Sequence, residues 1–316
     1  KGKNISFFYM FSVIFPGQGS QIVGMGKEFY DKFDIVKNLF KIADETLNFS
    51  ISKLILEGPK EELDLTINTQ PAIFLISYSI FNLIQKEFGI NLNQAKFFAG
   101  HSLGEYSALS CAGYLSFSDT IKLLKARGDA MQNAVPNNQG GMIAVLGSSI
   151  EIIEKILKDN ENKFLLQIAN DNSDGQLVLS GKLDDIGRFA EFLKSKSIKN
   201  IKLPVSAPFH CSLMSKATEI MKKEIEQSIF QDGKNILISN VTADEIRDKE
   251  QLKKLLIDQI ENRVRWRESV IKMIKKGTNQ FIEIGPGKVL SGLISRITKK
   301  FVIKSIDKVQ DLEQFN

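Results

Sequence analysis

The chain of 316 residues contains only two histidines, His101 and His210, and two cysteines, Cys111 and Cys211. Two cysteines make no disulfide framework and no metal cluster, and a reducing cytoplasmic setting is the simplest reading. The histidines never fall at ligand spacing, so no zinc site is expected. The apolar run at residues 5–15 is too short to span a bilayer. Lys1 and Lys3 precede it, but no small-residue cleavage site follows, so it does not read as a secretory signal. There are no internal repeats and no low-complexity tract. The net charge of +5 is far from a nucleic-acid-binding profile and suits an acidic partner or an anionic substrate. Neither nucleic acid nor membrane is expected as a partner.

What remains is an ordinary globular composition, 43% apolar and 25% charged, long enough to bury a sizeable core. Residues 10–15 read as a first buried strand, and residues 1–9, which lack an initiator methionine, as a trimmed or added end with partial disorder. The glycine-rich turn Pro16-Gly17-Gln18-Gly19-Ser20-Gln21 follows. Thr69-Gln70-Pro71 is expected to open a long helix, with Thr69 as its cap and Pro71 in its first turn. Ser116 or Ser118 caps another that runs to about residue 135.

Residues 136–141 look like a boundary, and the pattern beyond them changes. Strands are expected at 142–146, 164–169, 176–180 and 198–203, helices at 149–158 and 183–195, and a turn at 170–175. That order is β-α-β-β-α-β, the ferredoxin-like arrangement. It lies between two parts of a larger unit. The expectation is therefore an α/β fold: a large α/β-hydrolase-like domain of residues 1–137 and 205–316, with a ferredoxin-like domain of residues 138–204 inserted into it.

The chemistry concentrates at Gly100-His101-Ser102-Leu103-Gly104. An apolar run precedes this G-x-S-x-G and a helical stretch follows, which is the context of a nucleophile elbow. A serine hydroxyl needs a base to take its proton. His101, a neighbour on a tight turn, is poorly placed to aim its ring back at that hydroxyl, which leaves His210 in Pro208-Phe209-His210-Cys211. The 16–21 turn has no third glycine for a dinucleotide fingerprint and no Gly-Lys-Ser/Thr for a phosphate loop. Its backbone N–H groups suit an oxyanion donor, with the N–H of Leu103 as the second. Arg127 lies in the next helix after the elbow helix and has the planar fork that binds a carboxylate.

Five motifs occur in one order: Phe15-Pro16-Gly17-Gln18-Gly19-Ser20-Gln21, Gly100-His101-Ser102-Leu103-Gly104-Glu105-Tyr106, Ala126-Arg127-Gly128, Pro208-Phe209-His210 and Glu283-Ile284-Gly285-Pro286-Gly287. In this the chain resembles the malonyl-CoA:acyl carrier protein transacylases of type II fatty acid synthesis, over about residues 11–306. The resemblance implies that Ser102 is acylated, that His210 is its base and that Arg127 pairs with the malonyl carboxylate. It further implies that Gln18 and Leu103 are the oxyanion donors, that Gln259 orients the histidine through an oxygen and that His101 has a supporting role. Phe209 matches the malonyl-selective form of the related polyketide acyltransferases. The chain departs from the family pattern at Arg263, where proline is expected.

The implied reaction moves malonyl from malonyl-CoA to the phosphopantetheine thiol of acyl carrier protein through malonyl-Ser102, with no cofactor and no metal, in a monomer. Three rivals are a serine thioesterase or hydrolase, a polyketide-type acyltransferase, and a carrier-binding module that has lost activity. A hydrolase would normally orient its histidine with an acid, and Arg127 calls for a carboxylated acyl group.

Overall fold

A computed structural model describes residues 10–205 and 207–315. The expected disorder of residues 1–9 falls outside them. Ten strands form two sheets: β1 Phe11–Phe15, β2 Phe97–Gly100, β3 Gly140–Leu146, β4 Leu166–Ser173, β5 Gln176–Lys182, β6 Lys199–Lys202, β7 Ile236–Ile238, β8 Glu245–Ile246, β9 Gln280–Ile284 and β10 Val302–Ile306. The larger sheet has the order β10-β9-β1-β2-β7-β8 and the smaller the order β4-β5-β3-β6.

In the larger sheet every pair is parallel except β7 with β8. The buried, uninterrupted apolar character of Phe11–Phe15 and Phe97–Gly100 fits strands covered on both faces. Phe15 pairs with Gly100, so the 16–21 turn and the Ser102 turn leave adjacent strands at one sheet edge. Ligands of open α/β sheets bind at such carboxyl ends. The smaller sheet is antiparallel throughout, and its strands alternate with the helices Ile150–Asp159 and Leu183–Ser195 in the order β-α-β-β-α-β.

Two expectations fail. The long helix spans Thr66–Lys86, starting three residues before Thr69. Thr69 is inside it, its hydroxyl donating 2.6 Å to the Leu63 carbonyl, and Pro71 is interior. The helix is buried almost all round, so packing outweighs the one backbone bond that Pro71 removes. Residues 170–173, read as a turn from their polar composition, belong to β4. Two of these polar side chains, Asp171 and Asn172, meet partners across the molecule. Asp171, fully buried, takes both Nε and the terminal nitrogen of Arg267 at 3.0–3.1 Å. The Asp171 and Val264 N–H groups donate to the Val264 and Ala169 carbonyls, tying the smaller sheet to the segment after Gln259.

Of the two candidate caps, Ser116 is the one used: its hydroxyl accepts from the Asp119 N–H ahead of the helix Phe117–Gln132.

Candidate active site

The chain leaves β2 and enters the helix Leu103–Cys111 with only His101 and Ser102 between. Such a turn needs bare backbone at both ends. A Cβ on Gly100 would lie 1.9 Å from the Gly104 oxygen, and one on Gly104 would lie 2.3 Å from the Phe15 oxygen. Ser102 itself is held at φ 54°, a conformation that side chains rarely adopt. What holds it is Asn240, just beyond β7. The Asn240 side chain accepts from the Ser102 N–H at 2.8 Å and donates to the Gly100 carbonyl at 2.7 Å.

The second strained residue is His210, at φ 58° in the irregular segment before the helix Ser215–Gln227. Its Nδ1 lies 2.8 Å from the Gln259 main-chain oxygen and its Nε2 lies 2.8 Å from Ser102 Oγ. A carbonyl only accepts, so Nδ1 carries the proton and Nε2 is free to accept from the serine hydroxyl. Burial first, and then the charge of Arg127, hold the imidazole pKa down to about 3.

Arg127 is fully buried in the middle of its helix. Its nitrogens donate to Gln70 Oε1 at 2.8 Å, to Gln259 Oε1 at 2.7 Å and to Ser102 Oγ at 3.1 Å. The Tyr106 ring lies 5.4 Å from the guanidinium carbon. These three acceptors are neutral, and among the described residues no ion pair forms at Arg127. Burial lowers its pKa from the ordinary arginine value. A buried cation with neutral hydrogen-bond partners in the lining of a cavity is arranged for an anion.

The other sequence candidates converge as well. His101 is turned away from the hydroxyl: its Nε2 lies 2.8 Å from Asn172 Oδ1 on β4, and its ring packs 5.9 Å from that of Trp266. Burial holds its pKa below the ordinary histidine value. Leu103 is the first residue of its helix, so its N–H has no partner within the helix. Gln18 lines the cavity, its side chain donating to Thr66 Oγ1 at 3.2 Å. Phe209 lines it beside Met131, Met142, Leu203 and Val205. The Gln259 carbonyl meets His210, while its side chain reaches Arg127, the Ser102 carbonyl and Glu105. The cavity volume is about 130 Å³, room for a small acyl group.

Sequence reasoning missed Gln70, Asn172, Asn240 and the role of Glu105 in this network. Only the strand order could have pointed to Asn240, a polar residue past the end of a strand that neighbours the elbow strand. Gln70 was in view, but a register error placed it at a helix start instead of on the buried face opposite Arg127.

A serine hydroxyl thus lies between an imidazole and a buried guanidinium at the carboxyl edge of a largely parallel sheet, an arrangement suited to acyl transfer. The sequence pattern of the acyl transferase domain matches residues 12–312, and the chain belongs to that family. It is 43% identical to the malonyl CoA-acyl carrier protein transacylase of Bacillus subtilis (strain 168), over 95% of this chain and 94% of that protein. With the corresponding protein of Haemophilus influenzae it shares 38% identity, over 97% of each. The crystal structure of acyl-carrier-protein-S-malonyltransferase from Bartonella henselae superposes with a TM-score of 0.93 at 39% identity, covering 96% of this chain and 97% of that one. A type II PKS acyl-carrier protein in complex with its malonyl-transacylase gives 0.92 at 35% identity, covering 96% and 98%.

Proposed function

We propose that this protein transfers malonyl from malonyl-CoA to the phosphopantetheine thiol of acyl carrier protein, for fatty acid synthesis, with Ser102 as the acylated residue. The observation that carries the reading is a single hydroxyl shared between His210 Nε2 at 2.8 Å and the buried cation of Arg127 at 3.1 Å. Both the base and a carboxylate anchor then touch the nucleophile.

In the first half-reaction His210 Nε2 takes the Ser102 proton as Oγ bonds to the thioester carbonyl carbon. The carbon–sulfur bond breaks and His210 gives the proton to the leaving CoA sulfur. In the second, the carrier thiol passes its proton to His210 and attacks malonyl-Ser102, and the proton returns to Ser102. The backbone N–H groups of Gln18 and Leu103 are assigned to the oxyanion in each step. Arg127 exchanges its contact with Ser102 Oγ for the malonyl carboxylate, which frees the hydroxyl and relieves the repulsion that disfavours the imidazolium. Gln259 holds the imidazole tautomer through its main-chain oxygen, and His101 and Phe209 shape the acyl cavity. No step calls for a metal or a cofactor.

The architectural reading that accompanies this is an α/β-hydrolase-like domain of residues 1–137 and 205–316 with a ferredoxin-like insert of residues 138–204. It is supported by the parallel larger sheet and the antiparallel order β4-β5-β3-β6. A monomer in the cytoplasm is the setting proposed, in keeping with two buried, unpaired cysteines.

Intact-protein mass spectrometry tests the assignment. Malonyl-CoA should add one malonyl group to the wild type and none to Ser102→Ala, and acyl carrier protein should remove it. An alanine variant malonylated to equal yield would overturn the role of Ser102.

A further inference from the structure

Glu105 is a buried acid that the reaction above does not use. It lies in the first turn of the elbow helix, three residues after Ser102, and is 1% exposed. Its Oε2 accepts from the Gln259 side-chain amide at 2.6 Å and its Oε1 from the Asn240 N–H at 3.3 Å. Asn240 holds the elbow and Gln259 meets both His210 and Arg127. One carboxylate therefore grips both residues that position the nucleophile, the base and the anchor.

An amide side chain has two possible orientations, and the neighbours decide between them. At Gln259 the amide nitrogen faces Glu105 and the Ser102 carbonyl, and the amide oxygen faces the Arg127 nitrogen. An ionised carboxylate only accepts, so it admits only the donor end of the amide. The reverse orientation would place the amide NH₂ against the guanidinium, donor to donor. We propose that Glu105 is a positioning residue for acyl transfer, anchoring the Gln259 amide nitrogen with a charge-assisted hydrogen bond so that the amide oxygen stays in place to hold Arg127 toward Ser102. The inference rests on the reading of Ser102 and Arg127 given above.

The ionisation of Glu105 supplies a readout that packing alone would not move. Burial pushes its carboxyl up to about 7, against the opposing pull of the Gln259 and Asn240 hydrogen bonds and of the Arg127 charge. The titratable groups that bear on it are Arg127, from the helix packed alongside, and Tyr106, its neighbour on its own helix. Gln259 and Asn240, from the remaining elements, do not titrate. Below that value the carboxyl is neutral and accepts more weakly from the Gln259 amide and the Asn240 N–H, so its hold on both loosens and acylation should fall. His210, held at about 3, does not account for an acid limb in that region.

The test is single-turnover malonylation of Ser102 by the full chain, followed by mass spectrometry, across about pH 5–9. Glu105→Gln must turn one donor toward Gln259 or toward the Asn240 N–H. It should slow acylation about 10- to 100-fold, with a smaller change in KM for malonyl-CoA, and should lack the acid limb near 7. Glu105 acts through the Gln259 side chain, so Glu105→Gln combined with Gln259→Ala should be no slower than Gln259→Ala alone. Independent, multiplying effects in that pair would overturn the inference, as would a Glu105→Gln rate within about twofold of wild type. Should Glu105→Gln fail to fold, Glu105→Asp decides: its shorter carboxylate should slow acylation about tenfold, and a rate within about twofold of wild type refutes the role. Unlabelled Ser102→Ala alongside any of these failures confines the error to Glu105, whereas labelled Ser102→Ala removes the underlying reading.

Discussion

One wall of the acyl cavity is cross-linked by polar side chains, with Leu103 and Met131 set among them, and the other is mainly apolar. The wall built on the larger sheet carries Gln70, Ser102 and Arg127, and Gln259 and His210 close it. Apart from Arg127 Nε and the Gln70 amide nitrogen, the side-chain polar atoms of this group bond one another or a main-chain carbonyl among them at 2.7–3.1 Å. The opposite wall comes from the smaller sheet and the chain returning from it, with Met142, Leu203, Val205 and Phe209. Its polar contribution is confined to β4, where Asn170 lines the cavity and Asn172 reaches His101. Orientation is thus assigned to one wall and shape to the other. Hydrogen-bonded groups fix angles, whereas apolar side chains set volume.

That division can be broken at its strongest point first. His210→Ala removes the base from the polar wall and should slow malonylation by about two to four orders of magnitude. His101→Ala, whose ring serves Asn172, should cost much less. Rapid-quench acylation of both variants makes the comparison, and a larger loss from His101→Ala would reverse the two assignments.

Arg127→Ala comes next, and sharpens the claim that the polar wall selects the acyl group. Removing one partner of a shielded charge pair costs about 2–5 kcal/mol, or roughly 30-fold to several thousandfold. Malonyl transfer should fall by that factor while acetyl transfer is kept or gained. The measurement is the malonyl-to-acetyl ratio of kcat/KM in wild type and variant. A ratio constant within about twofold would leave Arg127 with no part in selection.

The smallest effect belongs to the apolar wall. Phe209→Ala enlarges the cavity without touching the polar network, apart from the Ser180 hydroxyl on the Phe209 carbonyl, which the substitution keeps. Malonyl transfer should drop by less than about tenfold, and a branched malonyl group should gain relative to it by about tenfold or more. Steady-state competition between the two thioesters reads this directly. If the branched group gains nothing, Phe209 does not bound the acyl cavity.

Much of this was legible from local pattern. The glycine spacing around Ser102 marked the turn because any Cβ at Gly100 or Gly104 collides with backbone. The helix expected at 183–195 spans Leu183–Ser195 in the structure, where its apolar period is regular. Pattern failed where polarity had a distant cause. Asn170, Asp171, Asn172 and Ser173 have the composition of a turn, yet they extend β4: Val264 bridges Asn170, Arg267 pairs with Asp171, His101 meets Asn172, and Ser173 pairs along β5. Thr69 and Pro71 have the signature of a helix start, yet burial carries the helix back to Thr66.

The sequence by itself singled out the serine and histidine that the structure places 2.8 Å apart, because a glycine-flanked serine and one available histidine leave little choice of pairing. It also determined the β-α-β-β-α-β element order of the smaller sheet, because hydrophobic period is a local property of the chain. Tertiary structure decided which face of Gln259 serves which partner: its carbonyl goes to His210, its amide oxygen to Arg127 and its amide nitrogen to Glu105. It alone brought Asn240 to the serine backbone across 138 residues of chain. Hydrogen-bond direction depends on where atoms lie in space, and residues this far apart in sequence acquire that relation only once the sheet has set the order of its strands.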